Sequence, residues 1–536
     1  MSFLVSILNY FWWSSVVVLG GFFICWVMGE VSYDVAFGLL GYIWKEAVST
    51  LTIDFLTSGV LYMLLICGGI AFIYCFHYFG GDVESSWALF PVMLGFVGVM
   101  VALCFTSCSL LTLVFWEYLG VVSFFLILFY SNSDSFRASV ITAFASRFGD
   151  VCLFILTVLI ASWKGVSAGV VSFLFVLVVC TKSASYPFTS WLLEAMRAPT
   201  PVSSLVHSST LVAAGAWFTI RYGEGIPSTA YVVIMFLSLA TILISGCSAA
   251  FFSDLKKIVA LSTCNNISWC LFFYSWGLPY LCLAQLVTHG LCKCLLFMSV
   301  GDLMGASGGS QSAVGVYSPR YNQSLLAVLQ SILVLSLSGI PFMGVFFTKH
   351  AIFSDLVHFF GSGCGLIILF GFFLSHVYSL RLVMLLLSGQ SGVNLGFFRN
   401  FYLITFFCLF GSMFSLFSGE GSEEVWCMSF GFSLFLFFLQ ILGSALGVFL
   451  FLYFYRVPSY VWFSSLWGND YIVSGVYRWF TKSFLVSLLS FYRWETGLLG
   501  GLNSGFLRTS GYIQYMASLN SLVGLLLFIM VVWFFY

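Results

Sequence analysis

Runs of about twenty apolar residues recur along almost the whole chain, and they leave little with which to build a water-facing surface. A helix that crosses a bilayer needs about 20 mainly apolar residues, because in lipid every backbone polar group must be satisfied within the segment. About fifteen segments qualify, at 4–27, 55–79, 88–106, 108–130, 138–161, 167–183, 202–221, 228–252, 255–275, 279–302, 324–350, 362–389, 400–418, 428–456 and 516–536. Charged residues make up 7% of the 536, against about 25% in a soluble domain. Length alone would allow several soluble domains, but the repeated spans favour one continuous bundle. The expected fold class is therefore all-α, a polytopic membrane helical bundle.

The intervals between spans are short. Val31 to Asp54 is mixed and partly alternating, which suits a small extramembrane hairpin. Gly/Ser-rich connectors lie at 305–312 and 418–422. There is no room for a nucleotide-binding domain and no glycine-rich phosphate loop. From Tyr471 to Tyr515, Arg478, Lys482, Arg493, Glu495 and Arg508 are interleaved with Trp, Phe and Leu at partly amphipathic spacing. That pattern suits a helix lying along a surface. The chain divides into an N-terminal part (1–87), a core (88–390), C-terminal spans (391–456), a lateral helix (457–515) and a last anchoring span (516–536).

Formal charge is balanced, with 19 basic and 19 acidic residues, so nucleic acid is not an expected partner. The 16 cysteines are scattered through apolar runs without a Cys-x-x-Cys pair. Their spacing does not match zinc or iron–sulfur sites, and no cofactor or metal is expected on this chain. The abundance of Phe (63) and Gly (50) beside few Pro (9) and His (6) accompanies plentiful Val, Cys and Trp. Several of these favoured residues have T- and G-rich codons, a skew common in some mitochondrial genomes. The first apolar run has no basic segment before it and no clear cleavage site.

Charges inside apolar spans carry the functional signal. A charge at mid-bilayer costs about 2.5–3.5 kcal/mol on insertion scales, and such residues tend to mark ion or proton paths. Glu117 lies within one span and Lys182 at the end of another, five residues before Pro187. His207 sits among Ser203, Ser204, Ser208 and Ser209. His289 and Lys293 are spaced i, i+4 and share a helix face. Lys349 follows Gly339 and Pro341, and His350 follows Lys349. Arg147 and Asp150 form either a structural ion pair or part of a relay, and Lys256 and Lys257 either anchor a span end or join it. Arg381 reads as a structural charge. Each member also has a plainer reading: Glu117 as partner of a buried base, Lys182 snorkelling to an interface, the histidines as satisfied core residues. Together they make a proton relay. Burial disfavours the charged form of a lysine and a nearby carboxylate favours it, so moving the carboxylate's charge switches the lysine's hold on its proton. Pro187 and Pro341 each break a helix close to a lysine, as transporter sites do. The two Pro-interrupted segments hint at an internal repeat.

Lys182 to Met196 and Ala198 to Gly215 resemble the signature of the NADH dehydrogenase subunit 5 family, the antiporter-like membrane subunits of respiratory complex I. Phe115-Trp-Glu-Tyr-Leu-Gly, Ser146 to Asp150, Ser253 to Thr263, Thr288 to Lys293 and Gly339 to Lys349 follow in the right order. The strong part of the resemblance spans roughly 110–385. It implies two broken-helix inverted repeats and a hydrated polar axis at mid-membrane. Glu117 would be the embedded glutamate, Lys182 and Lys349 the lysines of the two broken helices, His207 the connecting histidine, and His289 with Lys293 the central pair. It implies partners among the other membrane subunits of the complex, in the mitochondrial inner membrane with its lipids. FMN, iron–sulfur clusters, NADH and a quinone would be handled by other subunits. Two departures stand out: fifteen spans against the usual sixteen, and His350 where relatives usually carry an acid. Two other functions share parts of the pattern. A subunit of a multisubunit cation/proton antiporter would have the same broken-helix core. A non-translocating membrane brace would have no use for buried lysine and glutamate.

Overall fold

The computed structural model describes residues 31–33, 51–80, 83–162, 167–312, 317–319, 323–356, 363–387, 390–392, 410–415, 430–454 and 465–499. The spans expected at 4–27 and 516–536, most of 400–418, the connector 418–422 and the lateral segment beyond 499 lie outside the described residues. The chain forms two compact units, Met1–Asp470 and Tyr471–Tyr536.

The first unit is helical. Its helices are α1 (Phe55–Tyr78), α2 (Val83–Cys104), α3 (Ser109–Leu128), α4 (Ser133–Ser162), α5 (Ala168–Lys182), α6 (Ser190–Ala195), α7 (Thr200–Leu205), α8 (Leu211–Tyr222), α9 (Ser228–Ala249), α10 (Leu255–Ser275), α11 (Pro279–Ala306), α12 (Gln323–Ser338), α13 (Phe346–Leu356), α14 (Gly363–Leu387) and α15 (Phe430–Phe454). Among the described residues, eight helices are long and apolar enough to cross a membrane, and Ala168–Lys182 and Leu326–Ser338 are shorter apolar helices. The expected hairpin has its ends paired: β1 (Val31–Tyr33) runs antiparallel to β2 (Leu51–Ile53). A second two-stranded pairing, parallel, joins β3 (Tyr317–Pro319) to β4 (Gln390–Gly392).

Helix α11 is the axis of the unit. Its apolar window is 100% buried, and α1, α7, α8, α10, α12 and α13 pack around it. It begins with Pro279 in its first turn, where the missing N–H is no loss. Small residues set the close approaches. A Cβ on Gly290 would stand 2.2 Å from the Met63 sulfur of α1, and one on Gly149 of α4 would stand 2.0 Å from the Thr181 hydroxyl of α5. Serines and threonines are tolerated in apolar helices because their hydroxyls bond back to a carbonyl one turn earlier. Ser123 to Gly120, Ser172 to Gly169 and Thr219 to Ala216 all do so.

Three places depart from a plain span. Helix α5 ends at Lys182, and the chain runs irregularly through Ala184 (φ 54°) before α6 resumes it. The span expected over 202–221 contains a π turn at Val206–Thr210, between α7 and α8. The span expected over 324–350, with its break at Pro341, forms two helices, α12 and α13. Between them Gly339 (φ 92°), Phe342 (φ 64°) and Gly344 (φ 53°) adopt left-handed backbone and Pro341 lacks an N–H. A hydropathy window averages across this break because its residues are as apolar as the helices.

The second unit begins within α16 (Asn469–Trp494), followed by a π turn at Glu495–Leu499. Ile472, Trp479, Phe484, Leu488 and Phe491 are exposed on it, beside Arg478, Lys482 and Arg493.

Gly344 is the tightest point of the second break. A Cβ there would lie 2.5 Å from the Ser336 carbonyl oxygen, on backbone that L side chains rarely adopt. Gly344→Ala is expected to destabilise the protein by about 1–3 kcal/mol, read as a lower melting temperature in detergent. Gly95→Ala, whose Cβ meets nothing within 4 Å, should leave it unchanged.

Candidate functional site

Helices α3, α4 and α5 build the first cluster. Lys182 is 0% exposed and Asp150 2%. The Lys182 Nζ lies 3.6 Å from Asp150 Oδ1 and 5.1 Å above the Trp116 ring. Gly120 of α3 borders this pair: a Cβ there would be in ordinary contact with it, 3.8 Å from the Lys182 Nζ. The other Asp150 oxygen lies 3.7 Å from Arg147 Nη1, and Arg147 pairs in turn with Glu117. The four charges thus form one chain, Lys182–Asp150–Arg147–Glu117, running from the interior to a flank where Arg147 is 50% and Glu117 36% exposed. Sequence reading placed Glu117 as the carboxylate of the lysine switch, with Asp150 and Arg147 secondary. In the packing Asp150 is the carboxylate that contacts Lys182, and Asp150 and Arg147 stand between that lysine and Glu117.

The helix break after Lys182 frees backbone carbonyls, and three of them find donors. Trp191 Nε1 donates to Thr181 O at 3.0 Å and Cys264 Sγ to Ala184 O at 3.2 Å. Asn469 Nδ2 donates to Pro187 O at 2.5 Å. Gly215 of α8 lets the break approach: a Cβ there would lie 2.8 Å from Ser183 N.

The π turn carries His207, fully buried and with its ring centroid 6.4 Å from that of Trp191. π turns concentrate at functional positions because the extra residue re-aims side chains. His207 is within Coulomb range of Lys256, which is buried and donates to Ala198 O at 3.3 Å. Its neighbour Lys257 does something different, pairing with Asp254 at 3.0 Å at the helix start.

Helix α11 presents Gln285, His289 and Lys293 on one face at i, i+4, i+8, all buried. Lys293 Nζ donates to the Ser262 hydroxyl, a short contact, and to Val259 O at 3.3 Å. Neither ring nitrogen of His289 has a hydrogen-bond partner among the described residues. Gln285 joins α10 to α13: its Nε2 donates to Asn266 Oδ1 at 3.3 Å, and Thr348 Oγ1 donates to its Oε1 at 2.6 Å.

Lys349, next to Thr348, turns back into the second break. Its ammonium donates to Ser338 O at 3.0 Å and Leu337 O at 3.4 Å, the last carbonyls of α12. A cation suits the end of a helix, where carbonyls lack intrahelical partners and the dipole is negative. Its Nζ also lies 5.7 Å above the Trp269 ring. His350 points elsewhere, its ring tilted against that of Phe346 (centroids 4.0 Å apart) with its Nε2 3.3 Å from Gln440 Nε2 on α15. Arg381 donates to Ala249 O and Phe252 O at 3.2 and 2.7 Å, binding the end of α9.

Near the start of α10 a polar cavity of about 400 Å3 is lined by Asp134, Glu194, Arg197, Asp254, Lys257 and Asp470, among others. Burial, and then Glu194, pushes the Asp470 carboxyl up to about 6, with Lys257 opposing. Sequence reading missed Trp116 and Trp269 under the lysines, and the Asn266–Gln285–Thr348 link. The signal was there: Asn265, Asn266 and Gln285 are amides inside apolar spans, and these need partners.

Removing one member of a buried ion pair leaves the other charge uncompensated, at about 3–5 kcal/mol. Asp150→Asn is therefore expected to lower the thermal stability of the purified protein clearly. The double variant Asp150→Asn/Lys182→Met should recover most of the loss. Independent, additive losses in the two single variants would show that the pair does not act as one.

Residues 106–377 match the family model described as NADH:quinone oxidoreductase/Mrp antiporter, TM. NADH-ubiquinone oxidoreductase chain 5 of Mytilus edulis is 36% identical over 370 residues, 66% of this chain and 65% of that one. The protein of the same name from Ascaris suum is 32% identical over 486 residues, 85% of this chain and 84% of that one. Among solved structures, the Mrp complex from Dietzia sp. has a TM-score of 0.69 at 20% identity, covering 97% of this chain and 59% of that chain. The archaeal membrane-bound sulfane sulfur reductase has a TM-score of 0.66 at 15% identity, covering 83% and 93%. These two show the fold. The family match takes in every charged group from Glu117 to Lys349, and this multi-pass membrane chain belongs to the NADH:quinone oxidoreductase/Mrp antiporter family, among its NADH-ubiquinone oxidoreductase chain 5 members.

Proposed function

We propose that the chain moves protons across the mitochondrial inner membrane as a subunit of NADH:ubiquinone oxidoreductase, through the buried row Lys182, His207, Lys256, His289, Lys293 and Lys349. One observation carries the reading: these titratable groups, each at most 5% exposed, lie on α5, the π turn, α10, α11 and α13, with Lys182 and Lys349 each beside a helix break. A protein that only braced its neighbours would gain nothing from burying four lysines. Electron transfer, with FMN, iron–sulfur clusters, NADH and quinone, belongs to other subunits. This chain's residues hold and pass protons.

The switch is electrostatic. Arg147 stands between two carboxylates, Asp150 inside and Glu117 on the flank. When Glu117 is ionised it draws Arg147 outward, and Asp150 is left to favour the Lys182 ammonium. When Glu117 is neutralised, Arg147 turns to Asp150, and Lys182 releases its proton inward. The relay then passes it towards Lys293 and Lys349, which interact electrostatically with each other. The Asn266–Gln285–Thr348 link supports a route between them. Glu117→Gln, Lys182→Met and Lys349→Met are each expected to cut proton uptake by reconstituted vesicles about 100-fold or more, with the complex assembled. His350→Gln should be milder. Normal uptake in these variants would remove them from the path. Sodium-dependent uptake would favour the cation/proton antiporter reading that the Mrp-like fold keeps open.

The flank around Glu117 and Arg147 also bears exposed Val114, Tyr118, Phe148 and Val151. An ion pair is costly against lipid, so another membrane subunit covers this flank and delivers the charge signal to Glu117. Val114→Cys and Val151→Cys are expected to crosslink to a neighbouring subunit in the assembled complex. Free labelling of both by a lipid-soluble maleimide would refute the interface. The described part of the lateral segment, 471–499, lies along neighbouring subunits; its remainder and the last span, 516–536, lie outside the described residues. Deleting the residues after Asp470, which keeps Asn469 on Pro187, should loosen the complex more than it harms this chain's own fold.

A further inference from the structure

From the packing of α13, α14 and α15 we infer that His376 and His350, oriented by Gln440, extend the proton route beyond Lys349. This rests on the relay reading above. His376 is 1% exposed in α14, and its Nε2 has no hydrogen-bond partner among the described residues. It lies within Coulomb range of both Lys349 and His350. Phe372 separates the two imidazoles, its ring centroid 4.8 Å from that of His376 and 5.7 Å from that of His350. Helix α15 closes over this group with one face. Gln440 meets His350, and one turn on Gly443 brings backbone against the histidine: a Cβ there would stand 3.1 Å from His376 Cβ.

The chemistry follows from the groups present. Lys349 has no carboxylate beside it in sequence, since His350 occupies that place. A neutral imidazole accepts a proton on one nitrogen and releases one from the other. In the step proposed, an N–H bond of the Lys349 ammonium breaks, the proton joins an imidazole nitrogen, and the imidazolium gives a proton to water at the far side of α14. Charge is conserved at each transfer. Gln440 cannot carry a proton; it fixes the ring of His350. Arg381, one turn further along α14, is bound to the α9 carbonyls and remains a fixed charge. The plainer alternative, that His376 is only packing, differs in its consequences.

The test uses the whole complex in vesicles, with proton uptake normalised to assembled complex on a native gel. His376→Gln should lower uptake per complex about tenfold, the double variant His350→Gln/His376→Gln should lower it further, and Gln440→Leu should lower it about threefold. A packing role would reduce the amount of complex and leave uptake per complex unchanged, and that result in His376→Gln overturns the inference. Should His376→Gln not assemble, Gln440→Leu decides alone, with unchanged uptake again counting against it. Lys349→Met separates the two readings. If it blocks uptake while His376→Gln does not, only the extension fails; if it too leaves uptake intact, the relay itself fails.

Discussion

A backbone carbonyl without a partner cannot be left in the hydrocarbon of a membrane, and most of the interior is arranged around two places where helices stop short. At the first, an indole, a thiol and an amide take the freed oxygens of Thr181, Ala184 and Pro187. At the second, the ammonium of Lys349 takes those of Leu337 and Ser338. Break and lysine solve each other's problem: the lysine needs acceptors that an intact helix does not offer, and the carbonyls need a donor. The glycines follow from this, since Gly215 and Gly344 are where neighbouring backbone must come close to the open turns.

The two breaks are used differently. Lys182 ends the helix before its break and is held by a carboxylate, so its charge answers to a partner that is itself ionisable. Lys349 follows its break and is held by carbonyl dipoles, which do not titrate. One end of the row is suited to receive an electrostatic signal and the other to a constant affinity. The order matches the positions of the charges: the ionic chain that reaches the flank starts at Lys182, and nothing comparable is seen among the described residues at Lys349.

Much of this was legible in sequence because burial in lipid leaves few ways to read an apolar run. Helix existence followed from length and hydropathy, and the buried bases stood out as letters foreign to their surroundings. The split of 324–350 was harder, because Gly339, Ile340, Pro341 and Phe342 are apolar and only the Gly–Pro chemistry marks a stop. The partner of Lys182 was not legible from spacing. Glu117 and Asp150 are both carboxylates in neighbouring spans, and which reaches the lysine depends on how α3, α4 and α5 rotate against one another, with Gly149 setting the approach of α4 to α5. His376 gave no local signal: one histidine in an apolar helix looks the same whether it packs or conducts, until its neighbours from two other helices are known.

The tryptophans beneath the lysines have an optical consequence. Trp116 and Trp269 lie with their rings 5.1 and 5.7 Å from an ammonium nitrogen, so gain or loss of a single proton changes the electric field across each indole. The emission energy of an indole depends on that field, because its excited state has a larger dipole than its ground state. Each end of the row therefore carries its own voltmeter. With the other tryptophans replaced, the colour of the remaining one would report the charge on its lysine while the protein turns over, without any added probe.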